Sequence, residues 1–444
     1  MSHCPPHRGQ PRRASVHTLG CRLNQSESSL IVERLEAEGY DVVPFGEPAD
    51  LGIINTCTVT GEADAKSRQL VRSFIRKNPG AYTAVIGCYS QMGYKVLSEI
   101  EGVDLIVGNQ EKLSVLDYVA AGKNDAPLIV RDRIERDDFT MEIVGNGEVT
   151  RRANLKIQDG CDFMCSFCII PFARGRARSR AMDNLLDDAR QLLDRGAKEL
   201  VLTGVNVGTY AYEGQSIVDV VDRLNALDGV ERIRISSIEP TTIPEGLFER
   251  MADSHHALVP YLHIPLQSGS NRVLELMKRR YSREEFMAFI ELADASVPDL
   301  CIGTDVLVGS PGETDEDFME TFRLIEDSPI AYAHVFKYSE RKGTPASRYA
   351  EKVGPQTMNR RSAAVRRLSD AKRRAFYAAR LGQTAEVLFE HQENGFWSGY
   401  TGNYIRVAVR SKEELVNEVR DVRLDELKGD FALGSLVETP ALTT

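Results

Sequence analysis

The sequence predicts an α/β protein in three parts: an N-terminal parallel α/β domain, a central partial (β/α)6 barrel and a small C-terminal β-barrel. Three observations carry this. Residues 15–125 alternate apolar β-like runs with helical patterns, which is how a parallel sheet reads. Residues 147–378 repeat the alternation as six strand–helix units and end in a basic connecting helix. Residues 380–444 carry short alternating runs punctuated by glycine, the pattern of a small barrel.

In the first part, four runs read as strands: residues 14–20, 50–56, 82–87 and 104–109. The first three lead directly to Cys21, Cys57 and Cys88. Ligand sites of parallel sheets lie outside the carboxyl ends of the strands, so these cysteines should converge on one edge. The dipole of each following helix should lower a thiol pKa there. Thr60 is placed to cap the helix expected over residues 61–77. Three cysteines at equivalent positions point to a metal site rather than to small buried hydrophobes. Residues 1–14, rich in proline and arginine, read as a disordered tail, and Cys4 within it has no structured neighbours to make it a ligand.

In the central part the strands fall at residues 154–157, 199–202, 232–236, 261–264, 301–308 and 334–338. An amphipathic helix at 183–195 should stop at Gly196. Cys301, inside an apolar run, reads as core. The terminal runs are 385–389, 403–410, 416–424 and 435–438, with Gly395, Gly399 and Gly402 between them and Trp397, Tyr400 and Tyr404 as exposed candidates for stacking on bases.

Bulk properties narrow the class. The chain has 444 residues, 42% hydrophobic and 27% charged, ordinary for a globular protein. Eight cysteines in this length are too few for a disulfide scaffold. No apolar run reaches the ~18 residues of a spanning helix and no signal peptide is evident, so a cytoplasmic protein without a membrane partner is expected. A net charge of −10 argues against general affinity for nucleic acid, so any such contact must come from local basic patches.

The chemistry is concentrated at Cys161, Cys165 and Cys168, in the first loop of the central part, where barrel active sites form. Three thiolates spaced C-x3-C-x2-C leave one iron of a four-iron cluster open to chelate S-adenosylmethionine, the hallmark of radical S-adenosylmethionine enzymes. Zinc also takes thiolates, but its structural sites come as two knuckles or a knuckle with two histidines, and no second knuckle lies nearby. Two basic features stand out. Residues 357–380 read as one helix with Arg360, Arg361, Arg366, Arg367, Lys372, Arg373, Arg374 and Arg380 against Asp370 alone. Arg174, Arg176, Arg178 and Arg180 follow the cysteine loop and could grip a nucleic-acid backbone. The terminal barrel is acid-rich, so the helix should supply much of any phosphate attraction and the barrel shape and aromatics.

These features together resemble the methylthiotransferases, and the last part resembles their TRAM domain. The resemblance spans residues 15 to about 440. It rests on Thr18-Leu-Gly-Cys-Arg-Leu-Asn-Gln-Ser-Glu-Ser28, Asn55-Thr-Cys-Thr-Val-Thr60, and Lys156-Ile-Gln-Asp-Gly-Cys161 through Ile170-Pro-Phe-Ala-Arg-Gly-Arg176. Leu262-His-Ile-Pro-Leu-Gln-Ser-Gly-Ser270 and Thr304-Asp-Val-Leu-Val-Gly-Ser-Pro-Gly-Glu-Thr314 agree. Arg-Leu-Asn after Cys21, with Lys156-Ile-Gln-Asp159, is most similar to the branch acting on N6-threonylcarbamoyladenosine at tRNA position 37. The isopentenyladenosine and ribosomal-protein aspartate branches word this stretch differently.

The resemblance implies two 4Fe-4S clusters and S-adenosyl-L-methionine. Cys161, Cys165 and Cys168 would hold the cluster that makes the 5′-deoxyadenosyl radical. Cys21, Cys57 and Cys88 would hold a second cluster carrying the sulfur or methylthio group. No catalytic residue beyond these cysteines is expected. Gly204, Asn206, Ser237, Glu239 and Gln267, after successive strands, are the expected cofactor contacts. The tRNA anticodon stem-loop, a reducing electron donor and a sulfur donor are the implied partners, and the target base must leave its stack, at a cost on the order of a few kcal/mol. A reading from another class is a non-enzymatic RNA-binding protein with two zinc sites completed by His17 and His263.

Overall fold

The computed structural model describes residues 12–142, 152–244 and 246–437. Packing divides the chain into two compact units. One comprises residues 1–147, 158–180 and 339–347, the other 148–157, 181–338 and 348–444.

The first unit is a six-stranded sheet of β1 (Arg13–Thr18), β2 (Asp41–Val42), β3 (Leu51–Thr56), β4 (Tyr82–Gly87), β5 (Leu105–Val107) and β6 (Leu128–Val130). The spatial order is β2-β1-β3-β4-β5-β6 and every ladder is parallel. β3 and β4 are buried along their whole length, as expected of central strands covered on both faces. α1 (Arg22–Ala37), α2 (Gly61–Lys77) and α3 (Cys88–Ser98) follow β1, β3 and β4. Thr60 caps α2, accepting from the Ala63 amide at 3.1 Å. The expected tail lies outside the described residues except at its end, where Arg13 and Ala14 belong to β1 and Ala14 is buried. The two strands that periodicity does not reveal, β2 and β6, have two and three residues, too short to show a pattern.

The second unit opens with six strands in chain order, β7 (Ala153–Lys156), β10 (Glu199–Thr203), β11 (Arg232–Ile235), β12 (Tyr261–His263), β13 (Cys301–Val308) and β14 (Ile330–Lys337), and also contains the terminal barrel described below. The intervening numbers, β8 (Gln158–Asp159) and β9 (Arg178–Ser179), belong to the first unit. β7, β10 and β11 pair in parallel, as do β12, β13 and β14. A bridge from Ile233 to Leu258 connects the two triples. Their outer faces and the helices form one apolar core that includes Leu200, Ile233, Leu262, Ile302 and Val335. Cys301 is 2% exposed, and burial pushes its thiol up to about 12, in keeping with a core role.

The chain then runs through the helix Pro355–Ala378 into a closed barrel of β15 (Thr384–Glu393), β16 (Phe396–Thr401), β17 (Arg406–Val409), β18 (Val419–Lys428) and β19 (Phe431–Leu436). β16 occupies the stretch whose glycines suggest a loop. Gly399 lies inside it because a Cβ there would stand 2.2 Å from the Leu388 carbonyl of β15. The expectation of three exposed aromatics is corrected accordingly. Trp397 is 5% exposed in the barrel core. Tyr400 and Tyr404 are half-buried and stack on each other beneath Arg152, whose guanidinium lies 4.6 Å and 5.3 Å from their ring centres.

Candidate functional site

Cys21, Cys57 and Cys88 follow the carboxyl ends of β1, β3 and β4, three adjacent parallel strands whose last residues are in register, Thr18 opposite Asn55 and Thr56 opposite Gly87. The backbone before Cys21 passes so close to its neighbour that a Cβ on Gly20, at φ +105°, would lie 2.9 Å from Cys57 Cβ and 3.1 Å from its sulfur. Only glycine fits. Around this edge the motif residues hold the loops. Asn24 Nδ2 donates to Leu19 O at 2.7 Å and Thr56 O at 3.0 Å. Asn55 Nδ2 donates to Asn24 O and Ser28 Oγ, and Asn109 Nδ2 lies 3.5 Å from Cys88 sulfur.

The dipole expectation for these thiols is overturned at Cys57. Burial outweighs the hydrogen bond from Val59 and pushes the thiol up to about 11. Cys57 stands back from α2, ahead of the capping Thr60, whereas Cys21 is at the cap position of α1 and Cys88 opens α3.

The second triplet lies in a loop of the same unit, pinned at its base by the β8–β9 ladder, Gln158 opposite Ser179 and Asp159 opposite Arg178. Within it the Cys161 amide donates to Gly175 O, and the Cys168 amide to Cys165 O, both at 3.1 Å. The Phe163 amide reaches Cys161 sulfur at 3.5 Å.

Arg174 corrects the idea that all four arginines after this loop grip nucleic acid. Its side chain is 1% exposed and donates to Asp159 at 3.0 Å, to Glu27 at 3.1 and 3.2 Å and to Asn24 Oδ1 at 2.6 Å. Lys112 completes the group with an ion pair to Glu27 and a 2.8 Å hydrogen bond to Asn109 Oδ1. Arg180 is also fully buried, and Arg178 lies 3.9 Å from Asp159. Arg176 is half-buried, its side chain 42% exposed, and faces Asp162 at 3.5 Å. The run misleads because alternate arginines look like a solvated face, while their acids lie up to 147 residues away in sequence. Glu27 and Asn24, inside the Cys21 motif, are the signal that could have shown it.

Both triplets suit iron–sulfur clusters. None of the six cysteines is in a disulfide, and thiolates are soft donors of the kind such clusters take. The positive charge of Arg174, fixed by Asp159 and Glu27 despite burial, works against the upward shift that burial gives the Cys57 thiol.

The other expected contacts lie in the second unit, at the carboxyl ends of its strands. Gly204 and Asn206 follow β10, Ser237 and Glu239 follow β11, and Gln267 follows β12. Asn206 Oδ1 accepts from the Glu239 amide at 3.2 Å and from Thr242 Oγ1 at 3.0 Å. The Val207 amide donates to Ser237 O, and the Gln267 amide donates to Asp305 O at 2.8 Å. Glu239 is ion-paired to Arg279, a partner the sequence does not suggest; burial still raises its carboxyl above the usual range. His263 does not stand free as a zinc ligand, since its Nε2 is 2.9 Å from Asp305 Oδ1. His17 packs against Phe45, ring centres 4.4 Å apart.

Residues 155–325 match the Radical SAM superfamily and residues 13–108 match the uncharacterized protein family UPF0004. A solved radical S-adenosylmethionine methyltransferase, TsrM from Kitasatospora setae, superimposes with a TM-score of 0.55 at 16% identity, over 76% of this chain and 77% of that one, a likeness of fold. The class is therefore that of radical S-adenosylmethionine enzymes. The threonylcarbamoyladenosine tRNA methylthiotransferase MtaB of Bacillus subtilis is 38% identical, covering 92% of this chain and 93% of its own. The Aquifex aeolicus protein of the same name is 35% identical over 92% and 99%. A tRNA-2-methylthio-N(6)-dimethylallyladenosine synthase of Endomicrobium trichonymphae is 31% identical over 95% and 99%. The chain belongs to the tRNA methylthiotransferase family and is an enzyme that uses 4Fe-4S clusters and S-adenosylmethionine.

Proposed function

We propose that this enzyme adds a methylthio group to C2 of N6-threonylcarbamoyladenosine at position 37 of tRNA, beside the anticodon. The observation that carries the reading is the pair of cysteine triplets, none of them in a disulfide, in a chain that follows enzymes of that activity along more than nine-tenths of its length. The dimethylallyladenosine reading has the weaker support of a more distant relative.

Cys161, Cys165 and Cys168 would hold one cluster, and Cys21, Cys57 and Cys88 the other. Bound together, the first cluster and S-adenosylmethionine supply a carbon radical strong enough to take hydrogen from an unactivated C–H bond. The chain's own part is placement. Asn206, Ser237, Glu239 and Gln267 would contact the cofactor beyond the strand ends, with Gly204 beside them, and Arg174 ties the loop of Cys161, Cys165 and Cys168 to Asp159, Glu27 and Asn24.

The tRNA anticodon stem-loop is the macromolecular partner, a reducing electron donor and a sulfur donor are the others, and the cytoplasm is the compartment where these meet. No helix of the described residues is long and apolar enough to cross a membrane. The test is a nucleoside digest of tRNA from cells lacking the gene. The 2-methylthio form of threonylcarbamoyladenosine should vanish, with the unthiolated nucleoside accumulating, and return on complementation. Loss of a dimethylallyl or ribosomal-protein product instead would replace this reading.

A further inference from the structure

Three titratable side chains outside the thiol loops meet on neighbouring strands of the second unit. They are His263 on β12, Asp305 on β13 and His334 on β14, the last two directly opposite in the ladder. Asp305 Oδ1 is 2.9 Å from His263 Nε2 and 3.5 Å from His334 Nδ1. His263 Nδ1 in turn lies 3.5 Å from the Tyr332 hydroxyl, itself 2.6 Å from that of Tyr261. Exposure rises along this chain, from 8% at His263 through 24% at Asp305 to 58% at His334. The group sits beside the expected cofactor contacts. Gln267 bonds to the Asp305 backbone, and the Glu239 carboxyl feels the Asp305 charge.

With Nδ1 directed at Asp305, His334 turns Nε2 outward. It lines a cleft of about 600 Å³ along the outer edge of β14, between the helix Pro355–Ala378 and the terminal barrel. The two acids on that wall are already matched, Asp370 to Arg373 at 2.9 Å and Asp430 to Arg406 at 3.3 Å. Arg366, bonded to Ser362 Oγ and Val335 O, has no carboxylate partner among the described residues. The cleft therefore favours an anion. With both ring nitrogens carrying hydrogen, the ring points Nδ1–H at Asp305 and offers Nε2–H to the cleft as a donor. The ligand-type atoms of the trio lie within 4.8 Å of one another. A metal ion would have to displace the 2.9 Å bond of His263 to Asp305 and the 3.5 Å approach of His334, whereas a substrate hydrogen bond to His334 Nε2 displaces neither.

We propose that His334, aimed by Asp305, recognises the carboxylate of the N6-substituent on the target adenine and so selects the threonylcarbamoyl base over a base carrying a hydrocarbon group. This rests on the function proposed above. A threonylcarbamoyl group ends in a carboxylate, and a dimethylallyl group offers no acceptor to a ring N–H or to Arg366. Losing one hydrogen bond to a charged group costs about tenfold to hundredfold in binding.

The test uses the full-length holoenzyme and two anticodon stem-loop RNAs, one bearing threonylcarbamoyladenosine and one bearing its threoninamide counterpart, which has no charge. The wild type should favour the acid over the amide by about tenfold or more in kcat/KM. His334→Ala should abolish that preference, mainly through a higher KM for the acid, and His334→Arg should restore part of it. Asp305→Asn should weaken it in the same direction. Iron content and circular dichroism check that each variant is folded. A His334→Ala enzyme that keeps the full preference overturns the proposal while leaving the function intact. If the wild type methylthiolates no threonylcarbamoyl RNA, the function itself is wrong and the proposal falls with it.

Discussion

At the scale of single residues, the buried arginine at position 174 decides more than the exposed ones near it. Arg174 and Lys112 face Glu27 and Asp159, and no side chain of the four is more than 4% exposed. Removing one partner of such a group strands a buried charge, which costs about 3–5 kcal/mol. Arg174→Met should therefore lower the stability of the protein by about that amount in chemical denaturation. Adding Glu27→Gln should cost less than the sum of the two single changes, because each removes the reason the other is expensive. Strict additivity would mean the four groups do not act as a unit. The motif residues Asn24 and Glu27 hint at such a group, but their partner Arg174 is not legible locally. The cysteines announce themselves by spacing, but the residues that position them are spread between Asn24 and Arg174 and meet only through the fold.

The basic helix is where a count of charges in sequence misleads at the scale of an element. Eight bases against one acid suggest a phosphate-binding face, but the helix ends at Ala378, short of Arg380, and acids on other elements and its own Asp370 claim several of them. Arg361 is 3% exposed and bonds Glu313 at 2.6 Å and Asp315 at 2.9 Å. Arg360 shares Asp315, Arg373 pairs with Asp370, and Arg380 lies 3.3 Å from Asp299. Lys372 donates to the carbonyls of Glu326 and Ser328. Arg366, Arg367 and Arg374 remain exposed without a carboxylate partner among the described residues. Changing these three to Gln should weaken tRNA binding and flatten its salt dependence, by less than about one unit of log–log slope for each phosphate that is no longer neutralised. Arg361→Gln should lower stability instead. Affinity measured across a salt series and a denaturation curve check the two in turn; an unchanged slope in the triple variant would make the helix a solvated connector.

For the whole molecule, what periodicity and spacing can record was readable: the strand–helix alternation, the three cysteines at adjacent strand ends, the triplet in its loop and the closed barrel. Grouping by packing was not, because it depends on segments far apart in the chain. The loop of the Cys161 triplet packs in the same compact unit as the Cys21 triplet, and Asn109 touches both neighbourhoods, donating to Ala173 O at 2.6 Å and reaching Cys88 sulfur. The two triplets thus share a scaffold while keeping separate thiols. Separate thiols predict separable losses. Replacing Cys161, Cys165 and Cys168 by Ala should halve the iron of the anaerobically reconstituted protein, from about eight atoms to about four, and abolish 5′-deoxyadenosine formation. Replacing Cys21, Cys57 and Cys88 should remove the other half and the methylthio product, but leave 5′-deoxyadenosine detectable. Iron analysis, visible absorbance and product chromatography on the two triple variants distinguish the cases. Cleavage surviving in the first variant would end its role in S-adenosylmethionine chemistry. Normal methylthiolation by the second would return Cys21, Cys57 and Cys88 to the core of the sheet edge.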